Sequence, residues 1–152
     1  MMKLGNVEKV GVVLDCNVII SAGLGSVVCT QVLDFCMKNC LLFCSNEIFS
    51  EYAEVISRKK FRNNFNDLRN ILINLSDIFS FVGMANTTIS LPDKNDEIYI
   101  KTALECQADF LVTGNLKHFP ERKYESTEVL SPRDFLSYLK SKRNKKRGIY
   151  NL

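Results

Sequence analysis

Apolar positions along this chain recur with two different periods. Four short runs rich in β-branched and aliphatic residues read as strands: VGVVLD at 10–15, LLFC at 41–44, DFLVT at 109–113 and TEVL at 127–130. TEVL reads as a short edge strand. The stretches between them carry helical spacing. SVVCTQVLDFCMKN (26–39) places Val28, Val32, Phe35 and Met37 largely on one side, and NEIFSEYAEVISR (46–58) does the same with Ile48, Tyr52, Val55 and Ile56. Phe65, Leu68, Leu72, Leu75, Phe79 and Val82 fall at alternating steps of three and four, the register of a helix with a core-facing stripe. DEIYIKTALECQ (96–107) is a further helix. In SPRDFLSYLK, Ser131 stands as N-cap, Pro132 as first helical residue and Asp134 as the capping-box acid.

Strands alternating with helices predict an α/β domain with a mainly parallel sheet. SAGLGS (21–26) reads as a turn of small residues after the first strand. Neither an internal repeat nor a dividing linker interrupts residues 1–140, so one domain is expected there, followed by a basic tail at 141–152 without fixed structure.

Composition adds little until charge is divided along the chain. The net charge is +3, yet KSKRNKKR (140–147) holds six basic residues and no acid; without it 14 basic residues face 17 acidic ones, a balance of −3. An acidic body thus carries a basic end. Taken alone, that end is a solvated terminus; beside a polyanion it is a strap, with Lys140, Lys142, Arg143, Lys145, Lys146 and Arg147 as candidate RNA-binding residues. No apolar run approaches the ~18 residues of a membrane span, and the first run is interrupted by Asp15, unlike a signal peptide. No membrane association and a cytoplasmic location are expected. Cys16, Cys29, Cys36, Cys40, Cys44 and Cys106 lack any C-x-x-C pair, and buried thiols are the expectation for them.

The acids give the pattern its chemistry. In a parallel α/β sheet, ligands bind beyond the carboxyl ends of the strands. Asp15 ends the first strand, Asn115 follows DFLVT, Asp93 and Asp96 sit at the start of the 96–107 helix, and Glu51 lies about a turn inside the 46–58 helix. Asp15, Glu51, Asp96 and Asn115 therefore converge at one edge. Carboxylates brought together repel one another, and a hard divalent cation such as Mg²⁺ relieves this while binding substrate phosphate. Singly, each acid has a plainer role: Asp15 as a turn cap, Asp93 and Asp96 as helix N-terminal charges, Glu51 as a solvated face.

Four stretches in order resemble the PIN-domain family of metal-dependent ribonucleases, in particular the bacterial VapC-like toxins of toxin–antitoxin systems. VVLDCNVIISAGL resembles its opening motif, SNEIFSEYAEVISRKKF its second, and PDKNDEIYIKTALECQADFLVTGNLKHF its third and fourth. The resemblance implies a three-layer α/β/α fold, Mg²⁺ or Mn²⁺ as cofactor and endonucleolytic cleavage of RNA, with a cognate antitoxin and a homodimer as family-level partners. Asp15, Glu51 and Asp96 match the acidic metal positions, Asn17 and Ser21 the polar residues supporting the first acid, and Thr113 the threonine before the fourth acidic position. Asp93 belongs to the same acidic loop. Two residues depart from the pattern: Cys16 replaces the usual Thr, and Asn115 stands where many members have Asp. An amide oxygen can ligate Mg²⁺ but brings no charge, which opens the alternative of a catalytically weakened module that binds RNA or protein. An aspartyl-phosphate-type phosphatase is a further alternative, but it needs an acid at position 17. His118 is expected as a loop residue and not as a general base.

Overall fold

The computed structural model describes residues 3–4 and 7–150. A short antiparallel hairpin, β1 (Lys3–Leu4) with β2 (Val7–Glu8), precedes the main body. There follow β3 (Gly11–Leu14), α1 (Cys16–Gly23), α2 (Val27–Asn39), β4 (Leu41–Cys44), α3 (Asn46–Ile56), α4 (Phe65–Ser76), β5 (Ser80–Phe81), α5 (Glu97–Glu105), β6 (Phe110–Val112), β7 (Lys123–Tyr124), β8 (Thr127–Leu130) and α6 (Pro132–Tyr150). The main sheet has six strands in the order β5-β4-β3-β6-β8-β7. All neighbours are parallel except β7 and β8.

The connections fix the layers. The crossovers from β3 through α1 and α2 to β4, and from β4 through α3 and α4 to β5, step one way across the sheet. The connection through α5 steps back to β6. Right-handed crossovers therefore place α2 and α5 on opposite faces. Helix α5 packs on β3, β4 and β6, whereas α2 packs on β4 and α6. This is an α/β fold with a mostly parallel sheet between helices. Its core includes Val12, Val13, Leu14, Ile19, Leu42, Ile48, Leu68, Leu75, Leu111 and Phe135. Strand β3 is buried at every position, as expected of a continuous apolar run covered on both faces.

Four expectations change. Residues 16–23 form a helix, so the predicted turn shrinks to its last residues: Leu24 is the C-cap and Gly25 takes a φ of 103°, open to glycine without strain. The stripe through Val82 does not belong to one helix. Helix α4 ends at Ser76, and Phe79 reaches the core from the connection to β5, stacking on Tyr52 at 6.1 Å. TEVL is not the edge, because β7 pairs on its outer side. The C-terminal segment is not without structure: α6 continues as helix through Tyr150. Its start is capped as predicted, with Ser131 Oγ accepting from Asp134 N at 3.1 Å.

Five of the six cysteines are buried and Cys106 is half-buried; all are free thiols. Among the described residues no single helix is long and apolar enough to cross a membrane; the apolar pair α1 and α2 is bent by 116°.

Candidate metal centre

Asp15 occupies the tip of β3, where the sequence leaves the strand and enters α1. Its backbone N–H donates to Val112 O at 2.9 Å, so the strand pairing with β6 continues through it. The residue is 6% exposed. The neighbouring strand supplies its partner: Thr113, fully buried after β6, donates its hydroxyl to Asp15 Oδ2 at 2.8 Å. The same Thr113 oxygen accepts from Asn115 N at 3.0 Å and from Asn17 Nδ2 at 3.3 Å. Asn17 in turn accepts from Gly114 N at 2.9 Å. Asn17 therefore ties α1 to the loop after β6, and its own oxygen is already used there.

Glu51 reaches the same edge from α3. Its carboxylate accepts from the hydroxyl of Tyr99 on α5, and that hydroxyl also accepts from Cys16 N at 3.2 Å. One buried tyrosine thus links the residue after Asp15 to Glu51. Tyr52, the next residue on α3, is fully buried and donates to the Leu14 carbonyl just before Asp15. The sequence reading placed Tyr52 only in the core and assigned no role to Tyr99. The available signal is a hydroxyl on an otherwise apolar helix face, since a buried phenol needs a partner.

Asp96 closes a 3₁₀ turn, Lys94–Asp96, and leads into α5. It is 9% exposed, and its Oδ2 is buried without a well-aligned hydrogen bond. His118 Nδ1 lies 2.8 Å from that oxygen as an ion-pair contact. On its other side, His118 Nε2 accepts from Asn115 Nδ2 at 2.9 Å, which places the ring proton on Nδ1, toward Asp96. Asn115 thus joins the site through His118. Asp93 caps the 3₁₀ turn, accepting from Asn95 N at 2.9 Å. Ser21 is half-buried on α1, and its hydroxyl makes no hydrogen bond among the described residues.

The three acids share one electrostatic environment. Burial pushes the Asp15 carboxyl up from 3.8 to about 6, with Asp96 adding to the shift and the Thr113 hydroxyl opposing it. Burial also raises Glu51, against the pull of Tyr99, with Asp15 adding to the rise. Asp96 is raised by burial, opposed by His118, with Asp93 and Glu51 adding to it.

The basic residues at 140–147 lie elsewhere. Helix α6 starts beside the end of β8, and Tyr138 already packs edge-on against Phe110, the first residue of β6, with ring centroids 4.7 Å apart. The helix runs from the edge that bears Asp15 toward the opposite edge. Lys140 and Lys142 follow Tyr138 on this helix, and the candidates Arg143, Lys145, Lys146 and Arg147 have side chains outside those described. A cavity of about 530 Å³ also opens at that opposite edge, lined by Gly11, Leu41, Phe43, Cys106 and Asp109 among others.

A profile of the PIN domain matches residues 11–117, which include Asp15, Glu51, Asp96 and Asn115. The chain belongs to the PIN-domain family. PIN domains are generally nucleases, and in that family sense the chain is a nuclease-type domain. No curated protein matches the chain by sequence. Among solved structures, VapBC2 from Rickettsia felis, bound to a DNA fragment from its promoter, is similar at a TM-score of 0.57 and 18% identity, over 80% of this chain and 98% of that one. A domain of a functionally unknown protein from Methanocaldococcus jannaschii gives 0.51 and 18%, over 80% and 89%. The T. brucei RRP44 PIN domain gives 0.53 and 10%, over 93% and 87%. At these identities the likeness is one of fold.

The residues of this PIN domain fit a hard divalent cation. The donors are carboxylate and amide oxygens, and burial together with neighbouring acids raises the proton affinity of all three carboxylates, which a cation among them relieves. Among the described residues no three of His, Cys, Asp and Glu are grouped closely enough to hold a metal by themselves. Mg²⁺ suits such an open set, because it is bound through one or two carboxylates and keeps several waters.

Proposed function

We propose that this PIN domain is a Mg²⁺- or Mn²⁺-dependent endoribonuclease that hydrolyses RNA phosphodiester bonds. The observation that carries the reading is the chain of contacts at the carboxyl edge of the parallel sheet that ties Asp15 through Thr113, Asn115 and His118 to Asp96, and through the following Cys16 and Tyr99 to Glu51. Asp15 and Asp96 would hold the cation directly, with Glu51 at the rim and the Asn115 amide oxygen as a neutral contributor. A divalent ion held by these residues would supply neutralisation of phosphate charge and a water acidified for in-line attack. Thr113 fixes which Asp15 oxygen faces the site, Tyr99 fixes Glu51, and His118 holds Asp96 from behind.

The phosphatase alternative loses its footing at position 17. The Asn17 amide is engaged with Thr113 and Gly114 and supplies no second acid to the site. The weakened-module alternative rests on Asn115, whose amide nitrogen is committed to His118.

The likeness of fold to VapBC2 supports a toxin role, with a cognate antitoxin protein and a homodimer as partners. A cytoplasmic location goes with that role. The test is direct. Purified protein is incubated with single-stranded RNA and Mg²⁺ or Mn²⁺, and then with a chelator. Metal-dependent cleavage supports the nuclease; intact RNA under all metal conditions favours the binding module.

A further inference from the structure

We infer that single-stranded RNA is gripped by the exposed basic segment 58–62, beside the acidic site, and not by the basic end of α6. The inference rests on the nuclease reading above and names where its substrate lies. Arg58, Lys59, Lys60 and Arg62 put four cations into five positions, all exposed. They lie at the end of α3 and in the 3₁₀ turn Lys59–Asn64, which leads into α4. Helices α3 and α4 both pack on α1, the helix that begins next to Asp15. Arg58 follows Glu51 by seven positions, about two turns in the direction of α3, so the segment continues the helix that carries a site acid. Arg58 is near enough to Glu51, and to Cys16 beside Asp15, to favour the charged form of each.

The chemistry of the segment fits a single strand. Arg58 is held by Glu54, with Nη2–Oε2 at 2.8 Å and Nε–Oε1 at 3.2 Å, and this fixes the root of the segment. Among the described residues Lys59, Lys60 and Arg62 make no ion pair, so each can take a phosphate. No acid occurs between Glu54 and Asp67. Phe65 is 37% exposed at the start of α4, and Asn63, Asn64 and Asn66 flank it in sequence with amides. A cationic track with an exposed ring and hydrogen-bonding amides is how a single strand is held without reading its sequence. The end of α6 has comparable charge but leads away from the acids.

The experiment measures binding without cleavage. A labelled oligouridylate is titrated with protein in chelator over a range of KCl, for the parent, Lys59→Ala/Lys60→Ala/Arg62→Ala, Lys59→Arg/Lys60→Arg, and Lys145→Ala/Lys146→Ala/Arg147→Ala. Each lost phosphate contact lowers the salt slope for a single strand by about 0.7, so the first variant should lose about 2 from the slope and about tenfold or more in affinity near 0.1 M KCl. The arginine variant keeps the charge and should bind like the parent, which separates charge from packing. The α6 variant should keep the parental slope. Parental binding by the first variant, loss of binding in the α6 variant alone, or no RNA binding by the parent each overturns the proposal. Cleavage of the same RNA by the parent with Mn²⁺ is read separately. A parent that binds through 58–62 but never cuts contradicts the nuclease reading and leaves the binding surface standing.

Discussion

Thr113 donates its hydroxyl to Asp15 Oδ2 at 2.8 Å, joining the ends of two adjacent parallel strands by the two side chains that leave them. The residues are 98 positions apart in sequence, and their meeting follows from the pairing of β3 with β6. The bond does not neutralise Asp15. Burial outweighs it and the carboxyl rises to about 6, so this acid is buried at a cost that a cation can offset.

That cost should be visible as stability. The Asp15 carboxyl moves from 3.8 to about 6 on folding, so the folded state binds the proton more tightly than the unfolded chain. The metal-free protein should therefore lose stability as pH rises from about 4 through 6, by up to ~3 kcal/mol from this group. Asp15→Asn keeps an oxygen for the Thr113 hydroxyl and removes the charge. In urea unfolding with chelator it should be more stable than the parent at pH 8, and the gain should vanish near pH 4. A gain that is constant with pH would place its origin outside this ionisation.

Tyr99 and Tyr52 are both buried phenols near Asp15, but only Tyr99 contacts a site carboxylate. Tyr99→Phe leaves Cys16 N and Glu51 without their shared partner. It should cost about 1–3 kcal/mol of stability and weaken Mn²⁺ binding as well. Tyr52→Phe should cost a similar amount while leaving Mn²⁺ affinity nearly unchanged. Thermal melts and calorimetric metal titration of both variants check this; equal metal affinities would deny Tyr99 its positioning role.

Asn115→Asp tests the departure from the family pattern. Three carboxylates give the cluster a formal charge of −3, and a fourth gives −4. The substitution is nearly isosteric, so its effect should be electrostatic. Mn²⁺ affinity or stoichiometry should rise and cleavage should increase. Without metal, stability should fall, by about 1 kcal/mol, because a fourth negative charge joins the others and the donor to His118 Nε2 is lost. Calorimetry with single-turnover cleavage reads both effects. Unchanged binding and rate would remove Asn115 from the site.

Much of the fold could be read where one element buries one face. The β-branched runs became β3, β4, β6 and β8, and the helical spacings became α2, α3 and α5. What escaped was set by contacts and not by local pattern. Ser21, Ala22 and Gly23 look like a turn, yet they finish α1, where Gly23 lies so close to Leu68 that an added Cβ would come within 2.2 Å of it. Phe79 and Val82 continue a helical rhythm by coincidence; Phe79 is buried from the chain after α4, and Val82 N donates to Cys44 O at 2.9 Å. Strands β5 and β7 have two residues each, too few to show a period. The acids were legible because strand ends and helix starts share an edge. Tyr99 and the link from Asn115 through His118 to Asp96 were not, since they depend on which side chains meet across α3, α5 and the loop after β6.

The most direct measurement is single-turnover cleavage of one labelled single-stranded RNA over a Mn²⁺ titration, by the parent and by Asp96→Asn. The account predicts cleavage by the parent that rises with Mn²⁺ and saturates. It predicts loss of about a hundredfold or more for Asp96→Asn in a protein that melts no lower than the parent without metal, because a carboxylate has left the repelling cluster. Cleavage by Asp96→Asn at the parental rate and with the same Mn²⁺ dependence would contradict it.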